Sequence, residues 1–322
     1  MTGPVTRRLL IEHVSSFNFR EPARDSVMLL RLQPRNDGGQ RVLRYALTIE
    51  PDVVTVPLTD HFGNTCHLFN VHRTHRHTVV HSHVEVETTV PPPLPESLGA
   101  RAWKTLNREA ASPHNWEFLA PSRFARSSAL LAAFCEAKGI RRGRDPLKAL
   151  LKLATTLHAE FGYEPGRTAV DSPIDHILKT GMGVCQDYTH VMIAIARSWG
   201  VPSRYVSGYL HEEDLPGEQA SVGATHAWPE FLLPELGWTG IDPTNDTLAD
   251  HRHIRVAVGR DYGDAAPTRG VVVGGGASRL DVSVMVWDVA EDVPVPASHE
   301  EPSSFFEAGA IMPERPAATR QQ

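Results

Sequence analysis

Residues 181–200 read GMGVCQDYTHVMIAIARSWG. Tyr188, Val191, Met192, Ile195 and Trp199 recur at three- and four-residue spacing, which predicts a helix starting at Cys185 and running to about Trp199. Gly200 and then Pro202 end it, one by tolerating left-handed geometry and the other by lacking an N–H. Cys185 therefore stands at a helix N-terminus. The unpaired backbone N–H groups there carry partial positive charge, which favours a thiolate and offers donors to an oxyanion. The other two cysteines lack this setting. Cys66 lies beside a strand after a turn, and Cys135 lies among Leu130, Leu131 and Phe134 of a predicted helix, so both read as small buried hydrophobes.

A thiol nucleophile needs a base that becomes imidazolium and a group to orient that ring. Downstream, Thr225–Leu233 and Trp238–Asp242 are strand-like, and Pro234-Glu235-Leu236-Gly237 between them predicts a hairpin. That pairing brings His226 and Asp242 within reach of each other, with Asn245 a further candidate for the orienting role. Tyr163, Gln186 and Trp228 are candidates for lining the cleft or completing an oxyanion site. Asp242 also has a plainer reading, because Asp-Pro dipeptides favour turns.

Upstream of Cys185 the pattern is helical. Ala129–Lys138 and Pro146–Phe161 are predicted helices, the second capped by Asp145-Pro146, and a short one follows Ser172-Pro173, ending near Thr180-Gly181. Before them, 8–90 reads as about six short strands with turn signals at Asn36-Asp37-Gly38-Gly39 and Phe62-Gly63-Asn64. Leu9–Phe19 and Val27–Leu32 are separate runs in this reading. Val80, Val84, Val86 and Val90 alternate with His81, His83, Glu85 and Glu87, as in a half-buried antiparallel strand. A small all-β sandwich-like unit is expected here.

The proline cluster Pro91-Pro92-Pro93-Leu94-Pro95 marks a boundary. The expected organisation is a β-rich unit at 1–90 and a linker with helical segment at 91–145. A core with C-terminal strands follows at 146–290, and then a flexible, Pro-, Ala-, Ser- and Glu-rich tail at 291–322.

Composition narrows the function. With 322 residues, 41% hydrophobic and 22% charged, the chain is an ordinary globular one of more than a single small core. A net charge of −6 and no basic stripe argue against nucleic acid. No run nears the ~20 apolar residues of a membrane span, and no signal-peptide pattern opens the chain. Three cysteines cannot build a disulfide framework, so a cytoplasmic, reducing setting is expected. Nothing in the sequence specifies an oligomeric state. Seventeen histidines, including His72, His75, His77, His81 and His83 and the pair His251 and His253, raise a metal-binding reading. A solvated strand face is the competing explanation, and neither metal nor cofactor is expected at the Cys185 site.

The segments Gly183-Val184-Cys185-Gln186-Asp187-Tyr188, Tyr205-Val206-Ser207-Gly208-Tyr209-Leu210, Thr225-His226-Ala227-Trp228 and Trp238 through Asp242-Pro243-Thr244 resemble, in order and spacing, the transglutaminase-like core. Arg252-His253-Ile254, Gly259-Arg260-Asp261-Tyr262 and the β-rich 8–90 region resemble the flanks of its bacterial members. The resemblance implies an α+β, papain-like core with Cys185 as nucleophile, His226 as base and Asp242 as orienting group. It implies attack on a protein or peptide amide through a thioester, without cofactor, giving hydrolysis (cysteine protease or amidase) or transamidation. Pro229 departs from the family's usual β-former and puts local strand pairing in doubt. A binding scaffold that keeps the fold without turnover is the alternative, and a histidine-rich metal-binding module is a third.

Overall fold

The computed structural model describes residues 5–99, 101–211, 221–222 and 225–289. Its elements in chain order begin with strands β1 (Thr6–Leu30), β2 (Gln40–Glu50), β3 (Val56–Thr59), β4 (Thr65–Val71) and β5 (His75–Thr89). Then come helices α1 (Ala102–Ala110), α2 (Ala129–Ala137) and α3 (Pro146–Glu160), strand β6 (Gly162–Tyr163), helix α4 (Ile174–Thr180), strand β7 (Met182–Gly183) and helix α5 (Cys185–Ser198). Strands β8 (Ser203–Leu210), β9 (Ser221–Val222), β10 (Thr225–Leu233), β11 (Gly237–Asp242), β12 (Thr247–Leu248) and β13 (His253–Gly259) follow. The chain continues through helix α6 (Tyr262–Ala265) to strands β14 (Thr268–Gly274) and β15 (Ser278–Asp288).

The fold is α+β, a papain-like core preceded by a β-rich region. In the core, β12-β11-β10-β8-β13 form an antiparallel sheet. Helix α5 packs on β8 and β10 and is buried from Gln186 to Arg197. Leu150, Leu153 and Leu157 of α3, Ile177 of α4, and Phe231 and Ile241 of the sheet enclose the Tyr188–Met192–Ile195 face that the periodicity predicts. Burial around α5, rather than its intrinsic propensity, holds this helix in place.

The N-terminal region differs from its expected form. Leu9–Phe19 and Val27–Leu32 are parts of a single long strand, β1, bent where its pairing is irregular between Asn18 and Ala23. Its first half pairs with β5 and β15, its second with β4 and β14. Met28 and Leu30 of the second half, with Phe69 and Val71 of β4, meet Phe17 of the first half, Leu47 and Ile49 of β2 and Val80 of β5, so the bent sheet closes on its own core. Strands β14 and β15, placed with the 146–290 core by chain order, hydrogen-bond to β1 instead. A strand's partner is set by edge pairing and side-chain burial, which local periodicity does not carry. Helix α1, buried through Ala102, Leu106 and Ala110, lies within the 91–145 stretch read as linker with helical segment, ahead of the helix expected at Ala129–Lys138. The expected tail at 291–322 lies outside the described residues.

The β-rich region and the core sheet are joined face to face. Leu9, Ile11, Val84, Val86, Val284 and Val286 pack on Tyr209, Ile254 and Val256. The outer edge of β13 is also occupied: the Asn64 side chain both accepts from Val258 N–H and donates to its carbonyl, at 2.8 Å each. Gln40 does the same for Arg255, so no bare ladder edge remains at these positions.

Candidate active site

Cys185 is the first residue of α5 and is partly exposed. Asp187 fixes this helix start. Its buried carboxylate accepts from Val184 N–H at 2.9 Å and from Thr168 Oγ1 at 2.7 Å, closing the turn that presents Cys185. Burial pushes the Asp187 carboxyl up, against the pull of those two donors. Gly183 must be glycine here, since a Cβ would press on Asp187 and Ile177. The helix is tied to β10 by Thr189, whose hydroxyl donates to Ala227 O at 3.1 Å, and this sets the distance between Cys185 and the strand carrying His226.

His226 and Asp242 meet across the β10–β11 opening. The β10–β8 ladder runs without interruption through Pro229, but β10–β11 pairing begins only at Glu230. The proline thus falls where the hairpin opens, and the irregularity expected at Pro229 is confined to that side. His226 Nε2 lies 2.7 Å from Asp242 Oδ2. The other ring nitrogen is free of Asp242, and Cys185 lies near enough to the imidazole to act on its charge. Burial alone would lower the His226 pKa. The adjacent Asp242 carboxylate, with help from Cys185, reverses that and raises it to about 10. Asp242 in turn is fully buried, and His226 and then His253 hold its carboxyl well below the usual range despite that burial.

The turn reading and the site reading of Asp242 are both realised, on different oxygens. Oδ1 accepts from Thr244 N–H at 2.9 Å and organises the Asp-Pro turn, while Oδ2 faces His226. Asn245 Nδ2 donates to Oδ2 at 2.7 Å, so Asn245 supports the carboxylate rather than orienting the ring itself. Sequence reasoning missed His253. Buried at the start of β13, it lies with Nε2 3.4 Å from Asp242 Oδ2 and Nδ1 3.3 Å from Asp250 Oδ1. The sequence marked it only as one of a His251–His253 pair of metal-binding candidates and within Arg252-His253-Ile254, neither of which tied it to Asp242.

The three cleft candidates separate. Trp228 is fully buried beneath His226, its indole 6.0 Å from and nearly parallel to the imidazole. It occupies a slot left open by Gly208 and Gly240, where any Cβ would press on the indole. This side chain supports the histidine from below and does not wall a cleft. Gln186 is buried and donates to Val170 O at 2.9 Å, so its amide points into the preceding loop and not toward an oxyanion. Tyr163 is 55% exposed, and β6–β7 pairing sets it against Gly183, beside the Cys185 turn. Beneath Cys185 lie Tyr205, Ala227, Ala257 and Tyr262. Burial pushes the Cys66 thiol up to about 11 and raises that of Cys135.

Comparison with known proteins places these features. Residues 135–243 match the transglutaminase-like superfamily, and residues 9–87 match the bacterial transglutaminase-like N-terminal region. A protein of Mycobacterium leprae, ML0607, is 33% identical over 284 residues, covering 88% of this chain and 99% of its own. A protein-glutamine gamma-glutamyltransferase of Pseudomonas aeruginosa is 37% identical over 92 residues, 27% of this chain and 14% of that protein. The solved structure of a cysteine-protease candidate from Cytophaga hutchinsonii superposes with a TM-score of 0.72 at 17% identity, covering 90% of this chain and 93% of that one, a likeness of fold.

Proposed function

This chain belongs to the transglutaminase-like superfamily, and from that membership we propose that it is a thiol-dependent acyl-transfer enzyme acting on protein or peptide amides. The observation that carries the reading is the convergence on His226 of Asp242, 2.7 Å away on one ring nitrogen, and the Cys185 thiol at the start of α5. In this mechanism the Cys185 thiolate adds to the amide carbonyl carbon. The developing oxyanion is met by the first backbone N–H groups of α5. Collapse expels the amine, which takes its proton from the His226 imidazolium and leaves a thioester on Cys185. Water or a second amine then gives a proton to His226 and takes the acyl group, regenerating the thiolate. Asp242 keeps the ring oriented throughout and stabilises its charged form each time that form is reached.

The test is peptide-resolved iodoacetamide alkylation between pH 6 and 8 on the wild type and His226→Ala. Cys185 is expected to react at least about tenfold faster than Cys66 and Cys135, with the excess lost in the variant. Equal rates for all three thiols, or indifference to His226, would replace the enzyme with the binding-scaffold reading. A primary-amine fluorophore added with a protein substrate then separates the two outcomes of the thioester: its incorporation reports transfer, and release of new termini or ammonia without incorporation reports hydrolysis. All three cysteines are free thiols, which suits a reducing compartment, and we retain the cytoplasm as the proposed location, to be tested by cell fractionation.

A further inference from the structure

The five-histidine stretch of the N-terminal region does not act as one cluster. His72 turns to Asp25, with Nδ1 3.1 Å from its Oδ1. His75 is buried, with one nitrogen 2.9 Å from Ser26 Oγ and the other 2.8 Å from Arg73 O. Both point away from the remaining pair, His81 and His83. Two residues apart on β5, they project from the face opposite Val80 and Val84, which enter the core. Their rings are nearly parallel, 6.3 Å apart at 22°. Across the ladder, Glu12 of β1 pairs with His83, which brings a carboxylate to the same face. The ligating atoms of Glu12, His81 and His83 all lie within 4.8 Å of one another, and all three residues are half-buried.

We propose that Glu12, His81 and His83 form a binding site for a borderline divalent transition cation of the zinc or nickel kind. Two imidazoles and one carboxylate are a donor set that prefers such cations over calcium or magnesium, which take oxygen ligands. Ligand distances near 2.0–2.2 Å need the three donor atoms about 3–3.5 Å apart, which is reached by side-chain rotation on an otherwise fixed sheet. The two protein strands supply three donors on one side. The outward side stays open to water or to a donor from outside the chain.

A second group of donors, His226, Asp242 and His253, also lies within 4.8 Å and has to be separated from this one. The experiment is therefore a titration of the full chain carrying His226→Ala with zinc by calorimetry and with cobalt(II) by visible absorption. Near-stoichiometric uptake with a cobalt d–d band is expected, retained when His72 is changed to Ala. Affinity is expected to fall at least about tenfold in His83→Ala and in Glu12→Gln, with circular dichroism unchanged. Lack of uptake at stoichiometric metal would overturn the site, and so would uptake that survives His81→Ala with His83→Ala. Glu12→Gln is nearly isosteric at a half-buried position, so it decides the question if the histidine variants fold poorly.

Discussion

Replacing Asp242 with Asn removes one negative charge 2.7 Å from His226 Nε2 and little else, because the two side chains share a shape and the amide oxygen can still accept from Thr244. The magnitude follows from the site. His226 is 8% exposed at its side chain, and burial by itself would lower its pKa below 6.5, yet it stands at about 10. That difference corresponds to about 5 kcal/mol favouring the charged ring, at ~1.4 kcal/mol for each tenfold change in the equilibrium. Once the carboxylate is gone and the burial remains, the midpoint should fall to 6.5 or below. Nitrogen resonances of histidine-labelled protein, assigned with His226→Gln, read this directly: the wild-type ring stays charged through pH 9, and the variant ring is neutral by pH 7. The alkaline limb of kcat/KM should move with it. A variant midpoint within one pH unit of the wild type would refute the claim that Asp242 holds the charge. The sign for stability can be worked out as well. His226, with its pKa raised, stabilises the fold fully below about 6.5 and loses that contribution as pH rises toward 10. Asp242, with its pKa depressed, contributes above about 4 and loses it on acidification. The stability deficit of Asp242→Asn in urea should therefore be largest between about pH 4 and 6.5 and shrink toward pH 10.

Gln186→Ala should lower kcat less than about tenfold, against the 10²–10³ expected on removing a side-chain oxyanion donor, since its amide is held on Val170 O; steady-state kinetics decide between the two. His253→Ala removes a partner of the Asp242 carboxylate, so it should shift the His226 midpoint upward, with His253→Gln restoring part of the change; an unchanged midpoint in histidine nitrogen resonances would mean that His253 only fills space. Glu230 is fully buried against Arg204 and Arg255, so Glu230→Gln should cost about 3–5 kcal/mol in denaturant unfolding by leaving two guanidinium groups short of their partner.

Much of the core was legible because its signals are local and consistent. The α5 periodicity, the Gly200–Pro202 stop and the Pro234–Gly237 turn each specify one element, and His226 and Asp242 follow from the hairpin they predict. Reading failed where the deciding force acts across the chain. Asn18, Arg20, Glu21 and Pro22 are exposed at the bend of β1 and look like a loop between two strands; only the pairing with β5, β14 and β15 makes them one strand. Gln186 and Trp228 were candidates by proximity in sequence, but a helix turns successive side chains about 100° apart, so Gln186 faces the 170 loop. Trp228, two residues after His226 on one face of β10, packs fully buried against its ring instead of opening into a cleft. His253 was hidden for the same reason: β13 reaches Asp242 through its place beside β8, which no spacing in the sequence records.

The pairing of β1 with β15 also governs the order of events at the ribosome. Residues 9–19 hydrogen-bond to residues 278–288, so the β-rich region emerges first but cannot complete its sheet until nearly all of the described chain has been made. Until then the β15-facing side of β1 is an unpaired strand edge carrying alternating apolar side chains, the kind of surface on which nascent chains associate with one another. The α5 core, by contrast, is assembled from the contiguous stretch between α1 and β13 and is free to form while that edge waits. Such late closure between distant segments is slow by nature. A ribosome stalled before residue 278 would release a chain with its core assembled and its first-made strand still seeking a partner.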